Sequence, residues 1–104
     1  MPLDPNRTVN VSVQILPLTD DPFPLIDRAI RVIQASGVKH EVDPMETVME
    51  GPLDQLLEIA KEAHLSVMEA GAGKLVTLIK IGDRAEGTSM ESKVDKYRSR
   101  RPKA

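Results

Sequence analysis

Residues 8–16 constrain the fold most, because their side chains alternate strictly between polar and apolar. Alternation of this kind, rich in β-branched residues, predicts a β-strand with one buried face and one open face. The apolar positions are Val9, Val11, Val13 and Ile15, and the polar positions are Thr8, Asn10, Ser12 and Gln14. The sequence therefore predicts a sheet whose apolar side is covered by another layer.

Two segments have the spacing of amphipathic helices. The first follows Pro22, which two aspartates precede as a predicted N-cap, and ends before Gly37. Its apolar residues are Ile26, Ala29, Ile30 and Ile33. The second runs between Gly51 and Gly71, and its predicted buried stripe is Leu53, Leu56, Leu57, Ala60, His64, Val67 and Met68. The position of His64 on this stripe indicates a packing role and not that of a ligand.

Three further strands and one short helix complete the predicted elements. Residues 38–43 and 46–50 are predicted strands separated by a break at Pro44, and residues 74–82 are the last strand. A capping box formed by residues 88–91 predicts a short C-terminal helix with Met90, Val94 and Tyr97 on one side.

The resulting order is strand, helix, strand, strand, helix, strand, followed by the short helix. This order is typical of the α+β ferredoxin-like βαββαβ sandwich, in which two helices cover one face of a four-stranded antiparallel sheet. No linker or repeat divides the sequence. We therefore expect one domain over residues 1–104, with a core at about 8–97 and a basic tail at 98–104.

Composition excludes several functional classes. The chain has no cysteine, which rules out disulfides, thiol catalysis and cysteine-ligated zinc. With only two histidines, His40 and His64, a metal site is not expected. The aromatic content of 2% argues against modules that stack bases on aromatic rings. No apolar run approaches the roughly 20 residues of a membrane span, so we expect a cytoplasmic protein without a membrane partner.

Charge is distributed unevenly along the chain. The net charge is −2, yet the segment from Lys93 onward contains six basic residues and a single acid, Asp95. Such a tail could bind a nucleic acid, or it could simply be a solvated terminus. Because the tail is short and the remainder of the chain is acidic, we favour the solvated terminus and do not expect a nucleic acid partner.

The polar face of the first strand would share its side of the sheet with the last strand. The last strand is expected to place Val76, Leu78 and Lys80 on that open face, and Leu75, Ile79 and Ile81 on the buried one. Exposed aliphatic residues beside polar ones favour a second subunit that covers part of the face and leaves a polar pocket. The alternative is a mixed face that simply contacts water. We expect a dimer or tetramer.

Several motifs resemble those of a known family. They lie at residues 11–18, 35–38, 42–51, 63–64 and 74–84, and the most specific are Pro44-Met45-x-Thr47 followed by Glu50-Gly51, and Lys80-Ile81-x-Asp83-Arg84. Together they resemble the thiamine-binding protein family, single-domain relatives of the tandem-domain YkoF proteins, over about residues 9–94. The resemblance implies a ferredoxin-like fold, assembly into dimers or tetramers, and binding of thiamine or its hydroxymethylpyrimidine half.

An aminopyrimidine needs apolar walls and a few convergent hydrogen-bonding groups. Six residues are candidates for this ligand site: Ser12, Gln14, Met45, Thr47, Glu50 and Lys80. Ser12, Gln14 and Thr47 would supply hydrogen bonds, and Met45 a polarizable wall. Glu50 would lie near the cationic thiazolium, whereas Lys80 would suit a phosphate ester. No cofactor beyond the ligand is expected.

The residues do not indicate an enzyme. No nucleophile and base can be paired from the sequence, and Gly71-Ala72-Gly73-Lys74 lies between a helix and a strand, the wrong order for a phosphate loop. The alternative to a ligand-binding protein is a homo-oligomeric structural or regulatory interaction domain without a small-molecule ligand.

Overall fold

The computed structural model describes residues 2–93, so the predicted helix positions Val94 and Tyr97 and the basic tail lie outside the described residues. The elements are β1 (Thr8–Pro17), α1 (Phe23–Ala35), β2 (Lys39–Val42), β3 (Thr47–Pro52), α2 (Leu53–Glu69) and β4 (Leu75–Gly82). A further helical turn begins at Met90. The strands form an antiparallel sheet in the order β2-β3-β1-β4, which confirms the predicted ferredoxin-like sandwich.

The strand register decides which residues share a face, because directly opposed residues of an antiparallel pair point the same way. On the helix-covered face, Val13 of β1 is opposite Thr47 of β3 and Ile79 of β4. On the other side, which we call the open face, Ser12 is opposite Val48 and Lys80. The alternation of β1 therefore separates the two faces as predicted.

The core lies between the sheet and the two helices. Its buried apolar residues are Val9, Val11, Val13, Ile15, Ala29, Ile33, Met49, Leu56, Ile59, Ala60, Ala63 and Val67. In α2 the buried stripe is rotated from the predicted one, since Ile59 and Ala63 are buried while Met68 is exposed. His64 is half-buried with its Nδ1 2.6 Å from the hydroxyl oxygen of Thr77, which links α2 to β4. This contact between elements agrees with a structural role for His64, although the side chain is only partly buried.

The exposure of the edge strand β4 differs from the expectation that Ile79 and Ile81 are buried. Ile79 and Ile81 lie on the helix-covered face, yet they are 43% and 51% exposed. The reason is that β4 is at the edge of the sheet, whereas α2 packs mainly over β1 and β3. Val76 and Leu78 on the open face are exposed as well. β4 therefore presents apolar side chains to solvent on both faces.

The ends of α1 and the turn at Met90 differ in detail from the predicted caps. The N-cap of α1 is Pro22, without a side-chain cap, and not one of the preceding aspartates. At the C-terminal turn, the Ser89 hydroxyl accepts the N–H of Ser92 at 3.1 Å, and the Ser92 hydroxyl accepts the N–H of Ser89 at 3.4 Å. The reciprocal pair of hydrogen bonds thus joins Ser89 and Ser92, one residue later than the predicted capping box.

Candidate functional site

A cleft opens where β3 is shorter than its neighbour β1. The β1–β3 pairing ends at Val13 opposite Thr47, whereas β1 continues to Pro17. Past this point the edge of β1 faces the loop 43–46 instead of a strand. The cleft has a volume of about 230 Å³ and lies between this edge, the loop and α1.

The loop between β2 and β3 forms one wall of the cleft. The Asp43 N–H donates to the Glu46 carbonyl at 2.8 Å, which closes a tight turn. Pro44 and Met45 lie at its tip, and Met45 is 74% exposed. The break predicted at Pro44 is therefore confirmed, and it is the break that shapes the cleft.

Helix α1 forms the opposite, apolar wall. It contributes Ile26, Ala29, Ile30 and Ile33, which recur at helical spacing on one side of α1. Val13 and Ile15 of β1 continue this apolar surface on the sheet. Most of the cleft is therefore suited to binding the flat apolar face of a ring.

Polar residues also border the cleft, both at the end of the sheet and in the loop 43–46. Thr47 is only 5% exposed and lies at the start of β3, while Gln14 is half-buried on β1. Asp43 and Glu46 of the loop also border the cleft. The Thr47 hydroxyl can donate and accept a hydrogen bond at the edge of a ring, whereas the side chain of Gln14 points to the open face, as the alternation of β1 requires.

The predicted site residues divide between two places. Gln14, Met45 and Thr47 border the cleft, but the Gln14 side chain points to the open face, where Ser12 and Lys80 lie opposite one another. Lys80 Nζ is 3.0 Å from a carboxylate oxygen of Glu46. The six candidates therefore do not form one cluster, because Thr47 and Ser12 point to opposite sides of the sheet.

Ser12 is the most unusual residue of the open face. It is 7% exposed, and its hydroxyl has no hydrogen-bond partner within residues 2–93. A buried hydroxyl without a partner costs free energy, on the order of 1–3 kcal/mol. Nothing in the position of Ser12 connects it to the cleft.

Glu50 holds the C-terminal turn against the sheet. One of its carboxylate oxygens accepts the Met90 N–H at 2.7 Å, and the other lies 3.1 Å from Lys39 Nζ. Lys39 also contacts Glu91 at 2.6 Å, and hydrogen bonds to Glu91 and then Glu50 raise the pKa of Lys39. Lys93 donates to Asn10 beside this network. The Glu50 carboxylate is thus engaged in structural contacts away from the cleft.

Sequence reasoning missed the helix wall and the two acidic residues of the loop that borders the cleft. The α1 residues were interpreted as core because amphipathic spacing predicts burial against a sheet and does not show where a sheet ends. Asp43 and Glu46 flank the Pro44-Met45 break, and this pattern was the available signal. Acidic residues on both sides of a strand break indicate where carboxylates can converge.

The structure restricts two further classes of site. Within residues 2–93 no cluster of three or more histidine, cysteine, aspartate or glutamate side chains could hold a metal ion. In the same part of the chain, no helix has the length and apolar character needed to cross a membrane.

Comparison with known proteins places this chain in a family. The profile of the family described as "Thiamine-binding protein" matches residues 11–98. The UPF0045 protein CPE1503 of Clostridium perfringens is 46% identical over 93 residues, which cover 88% of this chain and 98% of the relative. The UPF0045 protein MJ1052 of Methanocaldococcus jannaschii is 34% identical over 82 residues, covering 77% of this chain and 81% of the relative.

Solved structures are similar over the same region. A domain of unknown function, DUF77, from Bacillus cereus superposes with a TM-score of 0.83 at 41% identity, covering 88% of this chain and 91% of that one. A Thermotoga maritima protein, for which a role in thiamine biosynthesis or salvage has been suggested, gives a TM-score of 0.80 at 34% identity, covering 86% and 98%. With the match over residues 11–98, these similarities lead to one conclusion: the chain belongs to the thiamine-binding protein family.

Proposed function

We propose that this protein binds thiamine through its hydroxymethylpyrimidine half, in the cleft between α1 and the loop 43–46, and does not catalyse a reaction. The observation that carries the proposal is the cleft itself, which has an apolar helix wall on one side and the buried hydroxyl of Thr47 at its end. Membership of the thiamine-binding protein family supports the choice of ligand.

The size of the cleft favours one ring over two. Its volume of about 230 Å³ is below the roughly 300–1,000 Å³ of pockets that enclose a drug-sized ligand. A substituted pyrimidine would therefore occupy the cleft, and the thiazolium ring of thiamine would extend toward its mouth. Met45, exposed at the tip of the loop, would contact the ring there.

The polar groups match the edge of an aminopyrimidine. The ring carries an amine donor and nitrogen acceptors, while the Thr47 hydroxyl can both donate and accept. Neither cysteine nor histidine is among the described residues lining the cleft, which supports binding over nucleophilic catalysis. The proposal includes a cytoplasmic location and requires no cofactor.

Calorimetry with thiamine and hydroxymethylpyrimidine tests which compound the protein binds, and substitutions test whether it binds in the cleft. Thr47→Val should weaken binding about five- to fifty-fold, since it removes about 1 kcal/mol or more of hydrogen bonding. Ser12→Ala is the matched control, because it removes a buried hydroxyl from the opposite face of the same sheet. We expect Ser12→Ala to bind like the wild type.

The pattern of losses separates the alternatives. If Ser12→Ala weakens binding while Thr47→Val does not, the ligand binds on the open face and the cleft is excluded. If the wild type gives no heat with either compound, the ligand proposal fails. Native mass spectrometry of the purified protein would then show whether another small molecule is retained.

A second function is favoured by β4. This edge strand exposes Ile79 and Ile81 on one face and Val76 and Leu78 on the other, a pattern suited to pairing with another copy of the chain. Absence of any ligand together with a stable dimer or tetramer would favour the homo-oligomeric interaction domain. We also propose self-association for the ligand-binding form, since the cleft lies along the edge of β1 that faces β3 and not along the edge that pairs with β4.

A further inference from the structure

The charges that line the cleft are all of one sign. Asp43 and Glu46 both border the cleft, and no lysine, arginine or histidine is among the described lining residues. Lys80 balances Glu46 from the open face at 3.0 Å. Asp43 has no basic group within salt-bridge distance in the described part of the chain. The cleft therefore retains negative charge even after the Lys80 contact is counted.

The backbone around the cleft offers little to an anion. Anion sites commonly use the free N–H groups of a helix N-terminus or of a glycine-rich loop. At the start of α1, the N–H groups of Leu25 and Ile26 both donate to the Pro22 carbonyl. The Asp43 N–H is used within the turn, and no glycine is among the described lining residues.

A phosphate ester would meet unfavourable electrostatics in this cleft. A phosphate monoester carries about −1.5 to −2 charges at pH 7. Like charges within a few ångströms repel, and the repulsion is stronger in a half-buried cleft than in water. A positive or neutral ring, by contrast, encounters attraction or no net force from the same carboxylates.

We propose that the cleft selects its ligand by charge: it accepts cationic or neutral heteroaromatic rings and rejects their phosphate esters, with Asp43 as the main discriminating residue. This inference rests on the proposed function and narrows it to the unphosphorylated vitamin and its pyrimidine. It also assigns Lys80 to the neutralisation of Glu46 and not to a phosphate.

Calorimetry on the full chain with four probes tests the inference: thiamine, hydroxymethylpyrimidine, thiamine monophosphate and thiamine diphosphate. We expect both phosphate esters to bind at least about tenfold more weakly than thiamine. Asp43→Asn should reduce the affinity difference between thiamine and its phosphate esters by about three- to tenfold. Glu62→Gln is the matched control, because it removes one negative charge from an exposed position on α2 outside the cleft. Glu62→Gln should leave the affinity difference between thiamine and its phosphate esters unchanged.

A second readout uses the wild type alone. Added salt screens charges near the surface, so the gap between thiamine and its esters should shrink between about 0.05 M and 0.5 M sodium chloride. Esters that bind as tightly as thiamine would overturn charge selection while leaving the proposed function intact. Charge selection would also be overturned if neither salt nor Asp43→Asn changed the affinity difference between thiamine and its esters. Failure of all four probes to bind would instead overturn the proposed function, and charge selection with it.

Discussion

Thr47 and Ser12 illustrate how much the direction of a single side chain decides. Both are buried hydroxyl residues of neighbouring strands, at 5% and 7% exposure. Thr47 points to the helix-covered face and into the cleft, whereas Ser12 points to the open face. Polar residues that resemble one another in sequence can thus belong to different surfaces, because successive residues of a strand alternate between faces.

At the same scale, Arg7 and Asp83 join the start of β1 to the end of β4. Arg7 Nε donates to Asp83 Oδ1 at 2.9 Å, and a second guanidinium nitrogen contacts the other carboxylate oxygen. The side-chain hydrogen bond from Arg7 is the main cause that lowers the pKa of Asp83. This geometry is the bidentate pairing that arginine, but not lysine, can form.

Replacing Arg7 should therefore change the titration of Asp83. In Arg7→Ala we expect the pKa of Asp83 to rise toward its ordinary value of about 3.9, and in Arg7→Lys to rise only part of the way. Carboxyl NMR during a pH titration measures this shift. Because the folded-state pKa is lowered, the pair stabilises the fold above the ordinary pKa and loses this effect as pH falls through the lowered one. An unchanged Asp83 pKa in Arg7→Ala would contradict the assignment.

At the scale of elements, the connection from α1 to β2 depends on Gly37. Gly37 follows the C-cap residue Ser36 and has a φ of 75°, in the left-handed region. The Ser36 hydroxyl also accepts the Val38 N–H at 3.3 Å, which fixes the exit of the chain. A residue with a Cβ atom adopts this backbone conformation only at a cost.

Gly37→Ala should accordingly destabilise the protein by about 1 kcal/mol or slightly more. A Cβ atom at Gly37 would meet nothing within 4 Å, so the cost is one of backbone conformation and not of packing. Gly37→Asn is the control, since asparagine tolerates the left-handed region better and should cost less. Urea unfolding measures both variants, and equal losses in the two would argue against a backbone origin.

At the scale of the whole molecule, the two edges of the sheet differ. The edge strand β2 has four residues and β4 has eight. Long, apolar edge strands are sites of pairing with other chains, because their backbone donors and acceptors are unsatisfied on one side. The exposed residues Ile79 and Ile81 would be covered by such pairing.

We therefore expect a dimer or tetramer in which β4 is an interface. The double variant Leu78→Lys/Ile79→Lys should shift the protein toward monomers at micromolar concentration, because it places charges on both faces of β4. Leu65→Lys, at an exposed position of α2, is the control and should leave the assembly unchanged. Light scattering gives the mass, and circular dichroism checks the fold. A wild type that is monomeric at this concentration would exclude the interface.

The elements of this fold could be predicted from sequence because their signals are local. Alternation defined β1, helical spacing and glycine defined α1 and α2, and Pro44 marked the break between β2 and β3. The order of these elements then indicated the ferredoxin-like topology. Three of the six candidate residues, Gln14, Met45 and Thr47, border the cleft, and their role in binding a ligand stays a prediction.

The faces and the cleft were decided only by the tertiary structure. In β3 neither set of alternating residues is clearly apolar, so the orientation of Thr47 depended on pairing with Val13. The cleft exists because β1 extends beyond the β1–β3 pairing, a difference in strand length that no local pattern encodes. Likewise, β4 has a buried strand's composition but lies at the edge, where α2 does not cover it. Periodicity is a property of residues close together in the chain. Whether a strand face is buried depends instead on where helices and strands that are distant in sequence begin and end.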